Sequence, residues 1–149
     1  MTLINKENVM KRILIANCIL LASTVAQASP QVDCLAKMAY MEARGINKQA
    51  VKDVTDVMFN RIKHHKFPDS VCKNINKKGQ YTWAAKGSKV KDIQTYKAIY
   101  KQVDSEYAKF KLGTWKDGTN GAMYFNNRPG KPYPKAKFLF KRNGHYFYK

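Results

Sequence analysis

Glu42 stands where a carboxylate is least expected. Leu35, Met38, Ala39 and Glu42 follow one another at i, i+3, i+4 and i+7, so a helix through them carries the acid on its apolar face. A half-buried carboxylate is costly unless it is paired or protonated. One outcome is a structural ion pair, with Arg61 the candidate partner. The other is a general acid, its pKa raised by desolvation, of the kind that protonates the leaving oxygen of a glycosidic bond. The surplus of positive charge pulls toward the ionised form, so the sequence does not sign the net shift.

A second group of residues suits sugars. In Gln80-Tyr81-Thr82-Trp83 an aromatic face can stack on pyranose C–H groups, while an amide and a hydroxyl read ring substituents. Tyr124 and Asn126 repeat the combination. For each aromatic the plainer alternative is closure of the core. His145 has two options, cleft or solvent, and His64-His65 reads as a solvated helix end.

These residues must be positioned by a small number of elements. Apolar spacing predicts a helix over 31–44, stopped by Gly45, and a second from an Asn47 cap to about His64, together an αα-hairpin. Asp69 or Ser70 would cap a short helix holding Val71, Cys72 and Ile75. Residues 76–91 have no period and read as a loop. Ile93, Tyr96, Ile99, Tyr100, Val103 and Tyr107 mark a third long helix between Asp92 and Phe110. Residues 122–127 suit a short strand or extended loop, and Asn143-Gly144 between aromatic-rich runs favours a type I′ hairpin. The expected class is mainly α (α+β), one domain with a small C-terminal β-hairpin.

The chain has 149 residues, room for one compact domain. Met10-Lys11-Arg12, the apolar run 13–25 and Ala26-Gln27-Ala28 have the anatomy of a signal peptide, so residues 1–28 are expected to be removed and 29–149 to form the domain. The apolar run is shorter than the roughly 20 residues of a membrane span, so no transmembrane segment is expected. Met10 is an alternative start, and Cys18 would leave with the signal. Without residues 1–28, which carry Lys6, Glu7, Lys11 and Arg12, the chain keeps 25 basic and 9 acidic side chains, a net charge of +16. Such a secreted or periplasmic protein suits anionic polymers such as those of a cell wall. Cys34 and Cys72 remain, and in an oxidising compartment an isolated pair reads as a disulfide; no spacing suggests a metal site or a cofactor.

Taken in order, Cys34-Leu35-Ala36, Glu42-Ala43-Arg44-Gly45, Asn60-Arg61, Phe67-Pro68, Cys72, Gln80-Tyr81-Thr82-Trp83 and Gly121-Ala122-Met123-Tyr124-Phe125-Asn126 resemble the spore-cortex-lytic (SleB-type) cell-wall hydrolase family. The resemblance covers nearly all of residues 29–149. It implies a lysozyme-like or lytic-transglycosylase-like, mostly helical domain that cuts the glycan strands of peptidoglycan between N-acetylmuramic acid and N-acetylglucosamine. It also implies Glu42 as the catalytic acid and a Cys34–Cys72 pair. Two positions depart from the pattern. Ile46 follows Arg-Gly where the family often has a second acid, and Asp53 and Thr55 replace small residues on the second helix.

None of Asp33, Asp53, Asp56, Asp69, Asp92, Asp104, Glu106 and Asp117 sits in a convincing motif. That favours a single-acid mechanism of the lytic transglycosylase type over hydrolysis, which needs a second carboxylate. Thr82 or Asn126 would steady the charged intermediate. Gln80, Tyr81, Thr82, Trp83, Tyr124 and Asn126 are the expected substrate contacts, and peptidoglycan with its anionic polymers the expected partner of a monomer. A specific nucleic-acid partner is not expected. The alternative is a non-catalytic basic module that tracks a wall or another polyanion, although it leaves Glu42 unexplained.

Overall fold

The computed structural model describes residues 29–132 and 134–149. The expected signal peptide and its cleavage site lie outside the described residues.

Pro30 opens helix α1, Pro30–Ala43, at a position where its missing N–H costs nothing. Leu35, Ala36, Met38, Ala39 and Tyr40 are fully buried along it. Gly45, at φ +78°, adopts the left-handed conformation that reverses the chain. Helix α2, Lys48–Lys63, begins where the Asn47 side chain accepts the Ala50 N–H at 2.9 Å. Ser70 caps α3, Val71–Asn76, in the same way.

Cys34 and Cys72 are joined by a disulfide that ties α1 to α3 across 38 residues. Closing a loop of that length stabilises a domain by roughly 4 kcal/mol in the chain-entropy model.

The stretch expected as loop contains one helical turn, α4, Thr82–Ala85. Tyr81 is the reason: its ring is buried, and its carbonyl accepts the N–H groups of Ala84 and Ala85. Helix α5, Ile93–Lys111, starts at Asp92, whose carboxylate accepts from Gln94 and Thr95. It packs on α1 and α2, with Phe110 stacked on Phe59 at 4.3 Å and Trp115 edge-on to both.

Strands β1 (Tyr124–Asn126), β2 (Phe138–Arg142) and β3 (His145–Tyr148) form an antiparallel sheet in the order β1-β3-β2. Asn143 and Gly144, at φ +51° and +79°, make the hairpin turn, where both central residues need positive φ. The sheet has a small core of its own, Phe147 and Ala122 against Val57 of α2, with Phe125, Leu139 and Phe140 packed around it.

Candidate active site

The periodicity of α1 sets Glu42 one residue before the helix ends, half-buried beside the core. Its Oε1 accepts the indole N–H of Trp83 at 2.6 Å. Burial raises its pKa above the ordinary carboxylate value; the Trp83 hydrogen bond and the charge of Arg61 oppose that rise without cancelling it.

Arg61 does not form the ion pair that the sequence suggested. Its Nε donates to the carbonyl of Met123 at 2.6 Å and its Nη1 to the Tyr81 hydroxyl at 3.1 Å. The guanidinium also lies over the rings of Phe67, Tyr81 and Tyr124. It is a buried tie between α2, the α4 turn and β1, acting on Glu42 only as a nearby charge. The ion pairs among the described residues belong to Asp53, Asp56, Asp69 and Glu106.

A cleft of about 500 Å³ opens between the end of α1 and the sheet, lined by Met41, Glu42, Ile46, Phe125, Asn126, Asn127, Asn143, Gly144 and His145. Among the described residues Glu42 is the one carboxylate in its wall. Ile46, where a second acid was a family expectation, adds an apolar wall.

The other buried acids are committed elsewhere. Asp53 accepts from Arg142 at 2.6 and 2.8 Å and from Gln49 at 2.8 Å. Asp56 accepts from Lys52, the Trp115 indole and the Gly118 N–H at 2.7–2.8 Å. Among the described residues no three His, Cys, Asp or Glu side chains group as a metal site.

Of the six residues expected to contact a sugar, Asn126 lines the cleft and Trp83 holds the acid. Tyr81 is placed otherwise: at 7% exposure its ring belongs to the core, and its hydroxyl is turned to Arg61. Its contribution is to support Trp83, with the two rings 5.5 Å apart. Tyr124 is half-buried against Phe67, Gln80 is half-buried, and Thr82 is exposed at the start of α4; none of the three is in the cleft wall. His64 and His65 stack on each other at the end of α2, away from that wall.

The residue that sequence reasoning left open is His145. It is 4% exposed and lies in the cleft wall, where its imidazole interacts with the backbone of Glu42. Nδ1 is buried with no hydrogen-bond partner among the described residues. Burial lowers the pKa of this imidazole, while the Glu42 backbone and the charge of Asp53 work against that shift. The signal in the sequence was the adjacent Asn143-Gly144 turn, which fixes where β3 begins.

A family model described as cell wall hydrolase matches residues 46–148, a span that begins just after Glu42. Among solved structures, the catalytic domain of the Bacillus cereus SleB protein is similar at 22% identity and a TM-score of 0.59, over 80% of this chain and 89% of that one. The catalytic domain of the germination-specific lytic transglycosylase SleB from Bacillus anthracis is similar at 20% identity and a TM-score of 0.61, over 85% and 100%. No curated protein matches the chain. The mainly helical fold with its small C-terminal sheet is the one these two domains share.

Proposed function

The chain belongs to the cell wall hydrolase family, and from that premise we propose that it cleaves the glycan strand of peptidoglycan with Glu42 as its acid. The observation that carries this reading is the one carboxylate in the cleft wall among the described residues, desolvated enough to have its pKa raised. An acid that holds its proton nearer neutral pH can deliver it to a glycosidic oxygen.

In the mechanism we infer, protonated Glu42 gives its proton to the oxygen between N-acetylmuramic acid and N-acetylglucosamine, and the C1–O bond breaks. The resulting carboxylate then takes the proton of the C6 hydroxyl on the same N-acetylmuramoyl residue. That oxygen closes on C1 as a 1,6-anhydro ring, so no water is consumed and the acid is restored. Trp83 occupies Oε1, which leaves Oε2 for the proton in transit. Asn126, in the cleft wall, steadies the charged intermediate. His145 positions the acid through its backbone. A water-activating second carboxylate is absent from the cleft wall among the described residues, which favours the anhydro product over hydrolysis. The Bacillus anthracis relative, described as a lytic transglycosylase, fits the same chemistry.

The substrate lies outside the cytoplasmic membrane, in keeping with the signal peptide read at residues 1–28. Among the described residues no helix is long and apolar enough to cross a membrane. The positive charge would hold the protein on its anionic substrate in a salt-dependent way.

A digest of purified peptidoglycan by the protein and by its Glu42→Gln variant, read by mass spectrometry, tests the proposal. Anhydro-muropeptides from the unsubstituted protein alone support it. Reducing, hydrated products would replace transglycosylation with hydrolysis. No cleavage by either protein, with tight wall binding by both, would replace the enzyme with a binding module.

A further inference from the structure

The two faces of the sheet are built differently. A bulge between Phe138 and Phe140 turns Leu139 and Phe140 together toward the small core on α2. It leaves Phe138 on the other face, 50% exposed and the one exposed Phe or Trp among the described residues. There Phe138 meets Tyr148 at 5.7 Å and Tyr146 at 6.4 Å, and the Lys141 ammonium lies 4.8 Å over the Tyr146 ring. A shallow groove of about 320 Å³ runs between these rings and Pro129, Gly130 and Lys131. Neither Lys131 nor Lys141 is in an ion pair among the described residues.

Asn126 joins this groove to the cleft. It lines the cleft, stands opposite Tyr146 in the β1–β3 register, and donates its Nδ2–H to the Gly130 carbonyl at 3.1 Å. A chain leaving the cleft over Asn126 therefore passes onto Tyr146 and Phe138.

We propose that this aromatic groove is a second binding surface for the same glycan strand, taking a sugar beyond those at the cleaved bond; the proposal rests on the reading of the cleft as glycan-cleaving. The chemistry matches on two counts. Phe138 and Tyr146 offer flat faces to pyranose C–H groups. Lys131 and Lys141, in no ion pair among the described residues, offer cations to the carboxylates that peptidoglycan carries on its peptide stems. A single-stranded nucleic acid would also accept rings and lysines, but continuity with the cleft selects the glycan.

The test separates binding from cleavage. Phe138→Ala and, as a second exposed-site variant, Lys141→Glu are made in a Glu42→Gln background, and pelleting with purified peptidoglycan sacculi is measured. The same substitutions in the active protein are assayed on sacculi and on a short soluble glycan fragment that fills only the cleft. Pelleting affinity is expected to fall roughly tenfold for Phe138→Ala and to be restored by Phe138→Tyr. Cleavage of sacculi should fall with it, and cleavage of the short fragment should not change. Unchanged pelleting in both variants overturns the proposal, as does an equal loss on the short fragment. A loss of binding to a single-stranded oligonucleotide but not to sacculi overturns it in favour of a nucleic-acid surface. If the protein with Glu42 intact cleaves neither substrate, the catalytic reading fails, and the pelleting arm still decides the groove.

Discussion

On α1, Glu42 has one neutral donor, the Trp83 indole, and a cation whose own hydrogen bonds point elsewhere. On α2, Asp53 and Asp56 are fully buried, yet each is met by three donors that include Arg142 or Lys52. The two aspartates anchor the hairpin and the 113–121 loop to α2. Their charge is compensated, so they serve structure. Burial raises the pKa of Glu42 as it does that of Asp56; what sets Glu42 apart is that it lines the cleft and is in no ion pair among the described residues. Carboxylates on two neighbouring helices thus differ in whether a cation pairs with them and whether they line the cleft: the paired aspartates hold the fold, and the one in the cleft is the acid of the proposed chemistry.

The sharpest way to break this contrast is Glu42→Gln. Glycan cleavage should fall about a thousandfold while thermal stability holds, because an amide is cheaper to bury than a partly compensated charge. Retained muropeptide release would remove Glu42 from the mechanism. Asp53→Ala should do the reverse. It strands Arg142 and Gln49 and should cost about 2–3 kcal/mol in denaturant unfolding, less than a fully buried pair because Arg142 is partly exposed. Its activity per folded molecule should be preserved.

His145→Ala should lower kcat roughly tenfold by loosening the acid with KM little changed, and His145→Gln, which keeps a hydrogen-bonding group beside the Glu42 backbone, should recover much of it. A variant that changes only the unfolding temperature would make His145 merely structural. Trp83→Phe removes a hydrogen bond that favours the carboxylate, so the Glu42 pKa should rise further and the alkaline limb of the pH–rate profile should move up. The smallest effect is on stability. With a folded pKa above its unfolded value, Glu42 binds more protons folded than unfolded. It therefore costs stability as pH rises from the unfolded value toward the folded one. Difference melts of the protein against Glu42→Gln should show that slope, with Asp56, raised in the same direction, contributing equally to both.

Glu42 was legible because the helical period alone places it beside Leu35, Met38 and Ala39. Tyr81 was left with two readings, sugar contact or core, for a related reason: an aromatic in an aperiodic stretch carries no face, and only the packing against Arg61 shows that its ring is covered. Ile46 and Asp53 were visible as departures from a pattern, but their meaning was not. One widens an apolar cleft wall and the other holds Arg142, 89 residues away.

What the sequence determined by itself was local. It set the helix periods and the Asn47, Ser70 and Asp92 caps, the Gly45 reversal, the Asn143-Gly144 turn, and which face of α1 the acid occupies. Each depends on residues a few positions apart, whose conformational preferences act before any distant contact forms. The tertiary structure decided the pairing of β1 with β3, the redirection of Arg61 to Met123 and Tyr81, the placing of His145 beside the Glu42 backbone and the cleft that results. Those contacts join segments far apart along the chain, Glu42 and His145 the farthest. Their partners are chosen by shape, burial and the need to satisfy buried polar groups, which no spacing along the chain encodes.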